Sequence, residues 1–309
     1  MRAAVLDLGT NTFNLVVAET GPKGIRFIHS SKLPVKLGEG GINQGIIGEP
    51  AFRRGIEAIH SHFATIKDLG VSLIKALGTS ALRTATNGQE FLDEIASSTG
   101  IEVEIIDGDR EAELIYYGVR ETFDMHGGRF LILDIGGGSN EFIIADHQTM
   151  YWRKSYPLGI ARLLEQFNPS DPLKAKEISE IETYLEIHTR DLITEVKKHN
   201  VDTLLGASGS FETFASMIRG DEIIRETEIA TDPDTYFIDY ADFDSLAKKL
   251  IKSTIYERRK MRGLEPMRIE MIVLASLFVK FILEKLNIRT IYQTNYSLKE
   301  GVIYQLLKK

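Results

Sequence analysis

Cysteine is absent from this 309-residue chain. Its absence excludes disulfides and thiolate metal centres, and it fits a reducing compartment. Positive charge is also scarce: 37 Lys and Arg stand against 44 Asp and Glu, a net charge of −7. Such a balance gives no global attraction to DNA or RNA, so a nucleic-acid partner is disfavoured. An anionic substrate would need a local basic site or a metal ion. Long apolar runs are missing too. The longest, Met271–Leu283, is broken by Ser276 and Lys280 and reads as a buried core helix rather than a membrane span. Met1-Arg2-Ala3-Ala4-Val5 enters a strand-like stretch directly, with no basic leader or cleavage site, so a cytoplasmic location and no membrane partner are expected. The histidines show no metal-ligand spacing, and His60, His62, His188 and His199 all read as surface residues.

What the chain does have is an internal repeat. Leu6-Asp7-Leu8-Gly9-Thr10-Asn11-Thr12-Phe13-Asn14-Leu15-Val16-Val17-Ala18 aligns without a gap on Leu133-Asp134-Ile135-Gly136-Gly137-Gly138-Ser139-Asn140-Glu141-Phe142-Ile143-Ile144-Ala145. Each copy is an apolar run, an Asp, a Gly-led turn and a second apolar run. Self-similarity of this kind sets the architecture, here two α/β lobes facing each other across a cleft.

The expected division is 1–124 and 125–309, with the glycines of Asp124–Gly128 at the connection and a closing helix at about 298–309 returning to the first lobe. In the first lobe, β-rich runs fall at Ala3–Asp7, Phe13–Glu19 and Ile25–Lys32. Pro50–Leu69 is helical by the spacing of Phe52, Ile56, Ile59, Phe63 and Ile66. Val103–Ile106 reads as a buried strand before a helix over Asp109–Glu121. The second lobe repeats the strands at Phe130–Leu133, Glu141–Ala145 and Met150–Ser155. A long helix is expected over Leu173–Lys198, then a strand at Thr203–Leu205, mostly helices to Leu286, a strand at Thr290–Tyr292 and a helix at Leu298–Lys308.

Three turns rich in Gly, Ser and Thr follow strands: Gly9–Thr12, Gly136–Ser139 and Gly206–Ser210. Backbone N–H groups gathered in such turns bind anions, and hydroxyls add donors. One such loop could be an ordinary turn; three, two of them duplicated, favour phosphate binding. Acidic residues cluster at Asp107-Gly108-Asp109-Arg110-Glu111-Ala112-Glu113, where spacing alone favours plain helix-start chemistry. Asp134 could cap its turn, and Glu141 could be an exposed strand residue. Arg83 could be a surface cation. Arg258-Arg259-Lys260, with Arg262 and Arg268, is the densest basic cluster and reads as a solvated face.

Read together, these loops resemble those of the exopolyphosphatase and guanosine pentaphosphate phosphohydrolase (Ppx/GppA) family. Further similarity lies in Lys36-Leu37-Gly38-Glu39-Gly40, Thr79-Ser80-Ala81-Leu82-Arg83, Pro157-Leu158-Gly159, Gly263-Leu264-Glu265-Pro266-Met267-Arg268 and Leu298-Lys299-Glu300-Gly301, so the resemblance spans essentially the whole chain in order. It implies the duplicated actin-like fold shared with sugar kinases and heat-shock ATPases. It also implies Glu111 as general base, and Asp134 and Glu141 as ligands of Mg²⁺, with K⁺ as a candidate monovalent companion. Phosphate would contact Gly9, Thr10, Asn11, Thr12, Arg83, Gly136, Gly137, Gly138, Ser139, Gly209 and Ser210. Asp7, the duplicate of Asp134, ranks lower as a ligand. Arg110 and Glu113 stand where the family often has the opposite charges, which reads as an exchanged ion pair. Ser297 and Lys299 replace the family's common Gly and Arg.

The implied activity is release of terminal orthophosphate from inorganic polyphosphate; removal of the 5′-terminal phosphate of guanosine pentaphosphate is the alternative. With the second lobe reaching its last residues, the chain is expected to lack the C-terminal helical domains of longer members. A homodimer is compatible with the resemblance. A small-molecule kinase and a non-catalytic guanosine tetraphosphate sensor are the rivals from other classes.

Overall fold

The computed structural model describes residues 1–22, 24–207, 209–220 and 235–308. The first half is built on strands β1 (Arg2–Leu8), β2 (Thr12–Gly21), β3 (Gly24–Pro34), β4 (Leu73–Gly78) and β5 (Val103–Ile105). Its helices are α1 (Glu49–Asp68), α2 (Ser80–Thr84), α3 (Gly88–Thr99) and α4 (Gly108–Arg120). The second half has β6 (Phe130–Ile135), β7 (Asn140–Ala145), β8 (Met150–Tyr156), β9 (Thr203–Ala207), β10 (Thr235–Asp239) and β11 (Thr290–Thr294). Its helices are α5 (Ile160–Phe167), α6 (Ala175–His188), α7 (Arg190–His199), α8 (Gly209–Arg219), α9 (Tyr240–Lys252), α10 (Ile255–Arg258), α11 (Ile272–Leu286) and α12 (Leu298–Leu307).

The duplication is visible in the strand order. One sheet runs β3-β2-β1-β4-β5 and the other β8-β7-β6-β9-β11-β10. In both, a three-strand antiparallel meander continues into parallel strands. The second sheet adds β10 antiparallel to β11. This is the duplicated actin-like α/β arrangement that the repeat and its resemblance imply.

Three hydrophobic clusters hold it together. One lies under the second sheet around Phe142, Phe211, Phe278 and α11. Another lies under the first, around Phe13, Phe91 and Ile59. The third joins the halves: Ala3, Val5 and Val16 of the first sheet and Ile132, Ile143 and Leu205 of the second pack on α4 and α12. These two helices cross backbone to backbone. A Cβ on Gly301 would lie 1.9 Å from Leu114 O, and one on Gly118 2.1 Å from Ser297 O, so the crossing requires glycine at both positions. The closing helix thus packs against β1, β2 and α4.

Five local expectations differ from the structure. The Leu173–Lys198 helix is two helices, α6 and α7, meeting at the buried Thr189, whose hydroxyl donates back to Leu185 O at 2.8 Å; a back-bonded Thr bends a helix. β5 is an exposed edge strand rather than a buried one, with Ile105 at the surface. A strand, β10, stands within the stretch read as mostly helical. His62 is buried, its Nε2 3.1 Å from Phe13 O. Arg258 is buried as well; it pairs with Asp171 at 2.8 Å and donates to Ile269 O at 2.8 Å, so it is a structural residue rather than part of a solvated face.

Candidate active site

The two repeated turns have the same build. Gly9 N–H donates to Thr12 O at 3.1 Å, and Gly136 N–H donates to Ser139 O at 3.0 Å. The carbonyls of each are tied down by neighbours: Asn11 O accepts from Val35 and Lys36 N–H at 2.9 Å, and Gly137 O accepts from Ala161 N–H at 2.8 Å. The turns meet each other. A Cβ on Gly137 would lie 2.4 Å from Asn11 Nδ2; one on Gly138 would lie 2.6 Å from Thr10 Oγ1 and 2.5 Å from Ser80 Oγ. The Thr10 hydroxyl at this meeting point is buried without a hydrogen-bond partner. An orphaned buried hydroxyl facing two glycine turns suits an anion that would accept its proton.

The carboxylates gather beside these loops. Asp107 caps α4 by accepting Arg110 N–H at 2.7 Å, which places Glu111 in the first turn. Glu111 is buried, and its Oε2 accepts from Arg83 Nη1 at 3.1 Å. Arg83 also donates to Ile106 O at 2.8 Å, so a backbone contact fixes its guanidinium. Burial, then the neighbouring Glu141 charge, pushes the Glu111 carboxyl well above the usual carboxylate range, with Arg83 opposing. Arg110 and Glu113 pair at 2.6 Å, as the exchanged pair predicts.

Asp134 and Glu141 face each other in the β6–β7 register. Glu141 is buried, not the exposed strand residue that its position allowed. Ser155 Oγ donates to its Oε1 at 2.6 Å, and Ser297 Oγ donates to Asp134. Burial and the adjacent Asp134 push Glu141 up to about 7. In the first copy, Asp7 faces Asn14, whose Nδ2 donates to Asp7 Oδ2 at 2.9 Å. Burial pushes Asp7 up to about 6, with Asn14 and Lys299 opposing. Among the described residues there is no cluster of three or more metal-ligating side chains.

The third loop leaves the sheet beside the second, Ala207 pairing with Asp134 across β9 and β6. Ser208 lies outside the described residues. Gly209 and Ser210 open α8, and the Arg268 guanidinium sits against Gly209, 1.6 Å from where a Cβ would be. Arg268 is fixed by Glu265 at 3.1 Å, and Glu265 also takes Lys32 of the first half at 2.5 Å. Lys36 pairs likewise with Glu270 at 2.6 Å, so ion pairs tie the halves together on this side of the cleft.

Arg162, on α5, joins the site without any mark in the motifs above. Its Nε donates to Gly138 O at 2.8 Å, Nη1 to Ile42 O at 2.8 Å and Nη2 to Thr84 Oγ1 at 3.1 Å. The only signal in the sequence was its place three residues after Pro157-Leu158-Gly159. Its partners lie far away in the chain, and nothing local marks it.

The chain belongs to the Ppx/GppA phosphatase family, whose model matches residues 16–309. It is similar to a putative exopolyphosphatase of Haemophilus influenzae, 28% identical over 306 residues that cover 99% of this chain and 91% of that protein. It is also similar to a guanosine-5′-triphosphate,3′-diphosphate pyrophosphatase of Photobacterium profundum, 25% identical, covering 99% of this chain but 59% of that longer protein. Among solved structures, an exopolyphosphatase from Cytophaga hutchinsonii superposes with a TM-score of 0.94 at 33% identity, covering 100% of this chain and 98% of that one. No helix among the described residues is long and apolar enough to cross a membrane.

Proposed function

We propose that this chain is an exopolyphosphatase, releasing terminal orthophosphate from inorganic polyphosphate by attack of water. The observation that carries this reading is the buried Glu111, placed beside two meeting glycine loops and held by Arg83. The terminal phosphate would sit where Gly9–Thr12 and Gly136–Ser139 meet, accepting the Thr10 proton and loop N–H groups. A general base works best with a proton affinity near the working pH. Burial and Glu141 raise that of Glu111, so its carboxylate can take the proton of the attacking water and hold it. Arg83 orients that carboxylate and faces the phosphate.

Asp134 and Glu141 fit a magnesium site. They are opposed carboxylates that accept from the Ser155 and Ser297 hydroxyls, and Mg²⁺ typically takes one or two protein carboxylates, leaving positions for water and substrate phosphate oxygens. When bound, the ion would offset negative charge on the reacting phosphoryl group; K⁺ is a further candidate cation. The names of the relatives from Haemophilus influenzae and Cytophaga hutchinsonii support polyphosphate as substrate. That of the Photobacterium profundum relative supports the second reading, removal of the terminal 5′-phosphate of guanosine pentaphosphate.

The test is orthophosphate release from polyphosphate, guanosine pentaphosphate and ATP, measured side by side with Mg²⁺. Preferred stepwise release from polyphosphate supports the first reading and preference for the nucleotide the second. Turnover of none of them, with guanosine tetraphosphate bound tightly, would favour a sensor.

A further inference from the structure

Beside the meeting loops lies a cavity of about 510 Å³ that two guanidinium groups, Arg83 and Arg162, border together with the hydroxyls of Ser80, Ser139 and Ser155. Arg83 has Glu111 as a partner. The partners of Arg162 are neutral: the carbonyls of Gly138 and Ile42, the Thr84 hydroxyl and, at 3.5 Å, Asn43 Oδ1. Glu165, on the same helix, is engaged elsewhere, accepting Asn43 N–H at 3.4 Å. Of the acids at the cavity wall, Asp107 is occupied in capping α4, and Asp109 faces Arg153 at 3.9 Å. Lys154, at the rim, pairs with Asp191.

A half-buried guanidinium without a carboxylate, beside a second cation on the same cavity, is held against like-charge repulsion. Burial, then the Arg83 charge, pulls the proton affinity of Arg162 down, with Glu165 and Tyr184 opposing from a distance. An anion placed between the two guanidinium groups removes that repulsion and can accept charge-assisted hydrogen bonds from the N–H groups they have left.

We infer that this cavity is a second phosphate subsite, in which Arg162, with Arg83 shared between the two positions, binds the phosphate next to the terminal one. The inference rests on the phosphoanhydride-hydrolase reading and deepens it: the ligand class is a linear chain of at least two linked phosphoryl groups. Orthophosphate, which fills the terminal position alone, has no use for Arg162. Because Arg162 also joins Ile42 and Thr84 of the first half to Gly138 of the second, filling the subsite fastens the two halves over the chain end.

The experiment is calorimetric binding at fixed free Mg²⁺ of two probes that cannot be hydrolysed, methylphosphonate with one phosphoryl group and methylenediphosphonate with two. The chain is compared with its Arg162→Met and Arg162→Lys variants. Arg162→Met is expected to weaken methylenediphosphonate by roughly 10- to 100-fold, the worth of a charge-assisted contact, and methylphosphonate by less than about threefold. Arg162→Lys, keeping charge but not the fork, should fall between. Equal losses on both probes would make Arg162 a support for the Gly136–Ser139 loop and overturn the subsite. No change on either probe would also overturn it, while leaving the terminal site standing. If the unaltered chain bound neither probe, the hydrolase reading would fall and the subsite with it. Melting curves identify a variant that fails to fold, and the Arg162→Lys comparison then decides.

Discussion

The two repeated turns share a backbone and differ in one side chain that faces the Asp. In both, the leading Gly donates to the carbonyl three residues on, at 3.1 Å and 3.0 Å. In both, the preceding Asp sits opposite a residue on the next strand. In the first copy that residue is Asn14, a neutral amide that can donate, and it satisfies Asp7 directly. In the second it is Glu141, which cannot donate when ionised, so two carboxylates face each other. The first arrangement is closed on itself; the second calls for a cation. Backbone geometry makes both turns fit for an anion, and the cross-strand partner decides which of them can also take a metal. Glu111, whose proton affinity Glu141 raises, belongs to the chemistry of the second copy.

The largest expected effect comes from Glu111. Replacement by Gln keeps shape and helix but removes the base, so orthophosphate release should drop by about 10² to 10⁴-fold, the usual worth of a positioned proton acceptor. Binding of a phosphate analogue should hardly change. Near-normal turnover in Glu111→Gln, with loss in Glu113→Gln, would move the base to the neighbouring acid.

Changing Glu141 to Asn makes the second copy like the first. Mg²⁺ activation should weaken by at least the roughly 10- to 100-fold seen when groups around a metal site are removed, with less effect on folding because Asn can still hydrogen-bond Asp134. An unchanged activation curve would remove Glu141 from the metal site.

The metal-free chain should also carry the signature of buried acids. The Glu141 carboxyl has its ordinary value of 4.5 when unfolded and about 7 in the fold. Between those values the native state binds the extra proton, so stability falls as pH rises through that window. Asp7, raised from 3.8 to about 6, acts in the same direction. Melting temperatures from pH 4 to 8 check this: Glu141→Gln should flatten the decline, and a stability that rises across the window would refute it.

The smallest effect is expected at Asp7. Asp7→Asn leaves an amide pair across β1 and β2 that can still hydrogen-bond. It should leave the Mg²⁺ response intact and, by removing a carboxyl that burial raises from 3.8 to about 6, change stability chiefly at pH values above that window.

Much of this comparison is legible in the sequence, because it is local. The repeat, the Gly-led turns and the alternating apolar runs follow from residue order alone, and so does the start of α4 at Asp107. What depends on distant contacts is not legible. Spacing alone leaves Glu141 free to be an exposed strand residue, and only the resemblance points to a metal ligand; its burial follows from contacts made in the fold. Nothing local marks Arg162, because Ile42, Thr84 and Gly138 meet it only in the fold. Arg258 reads as a solvated charge because its partner Asp171 is far back in the chain. The strand β10 did leave a local signal, Thr235-Tyr236-Phe237-Ile238 with Asp239 then capping α9, but the helical stretches around it outweighed that signal.

Metal binding measured without substrate separates the two copies most directly. Mn²⁺, standing in for Mg²⁺ and followed by its electron paramagnetic resonance signal, would be titrated into the unaltered chain, Glu141→Gln and Asp7→Asn. One tight site in the unaltered chain and in Asp7→Asn, lost in Glu141→Gln, is the expected result. A site that survives Glu141→Gln and disappears in Asp7→Asn would assign the ion to the first copy and overturn the division of roles drawn between them.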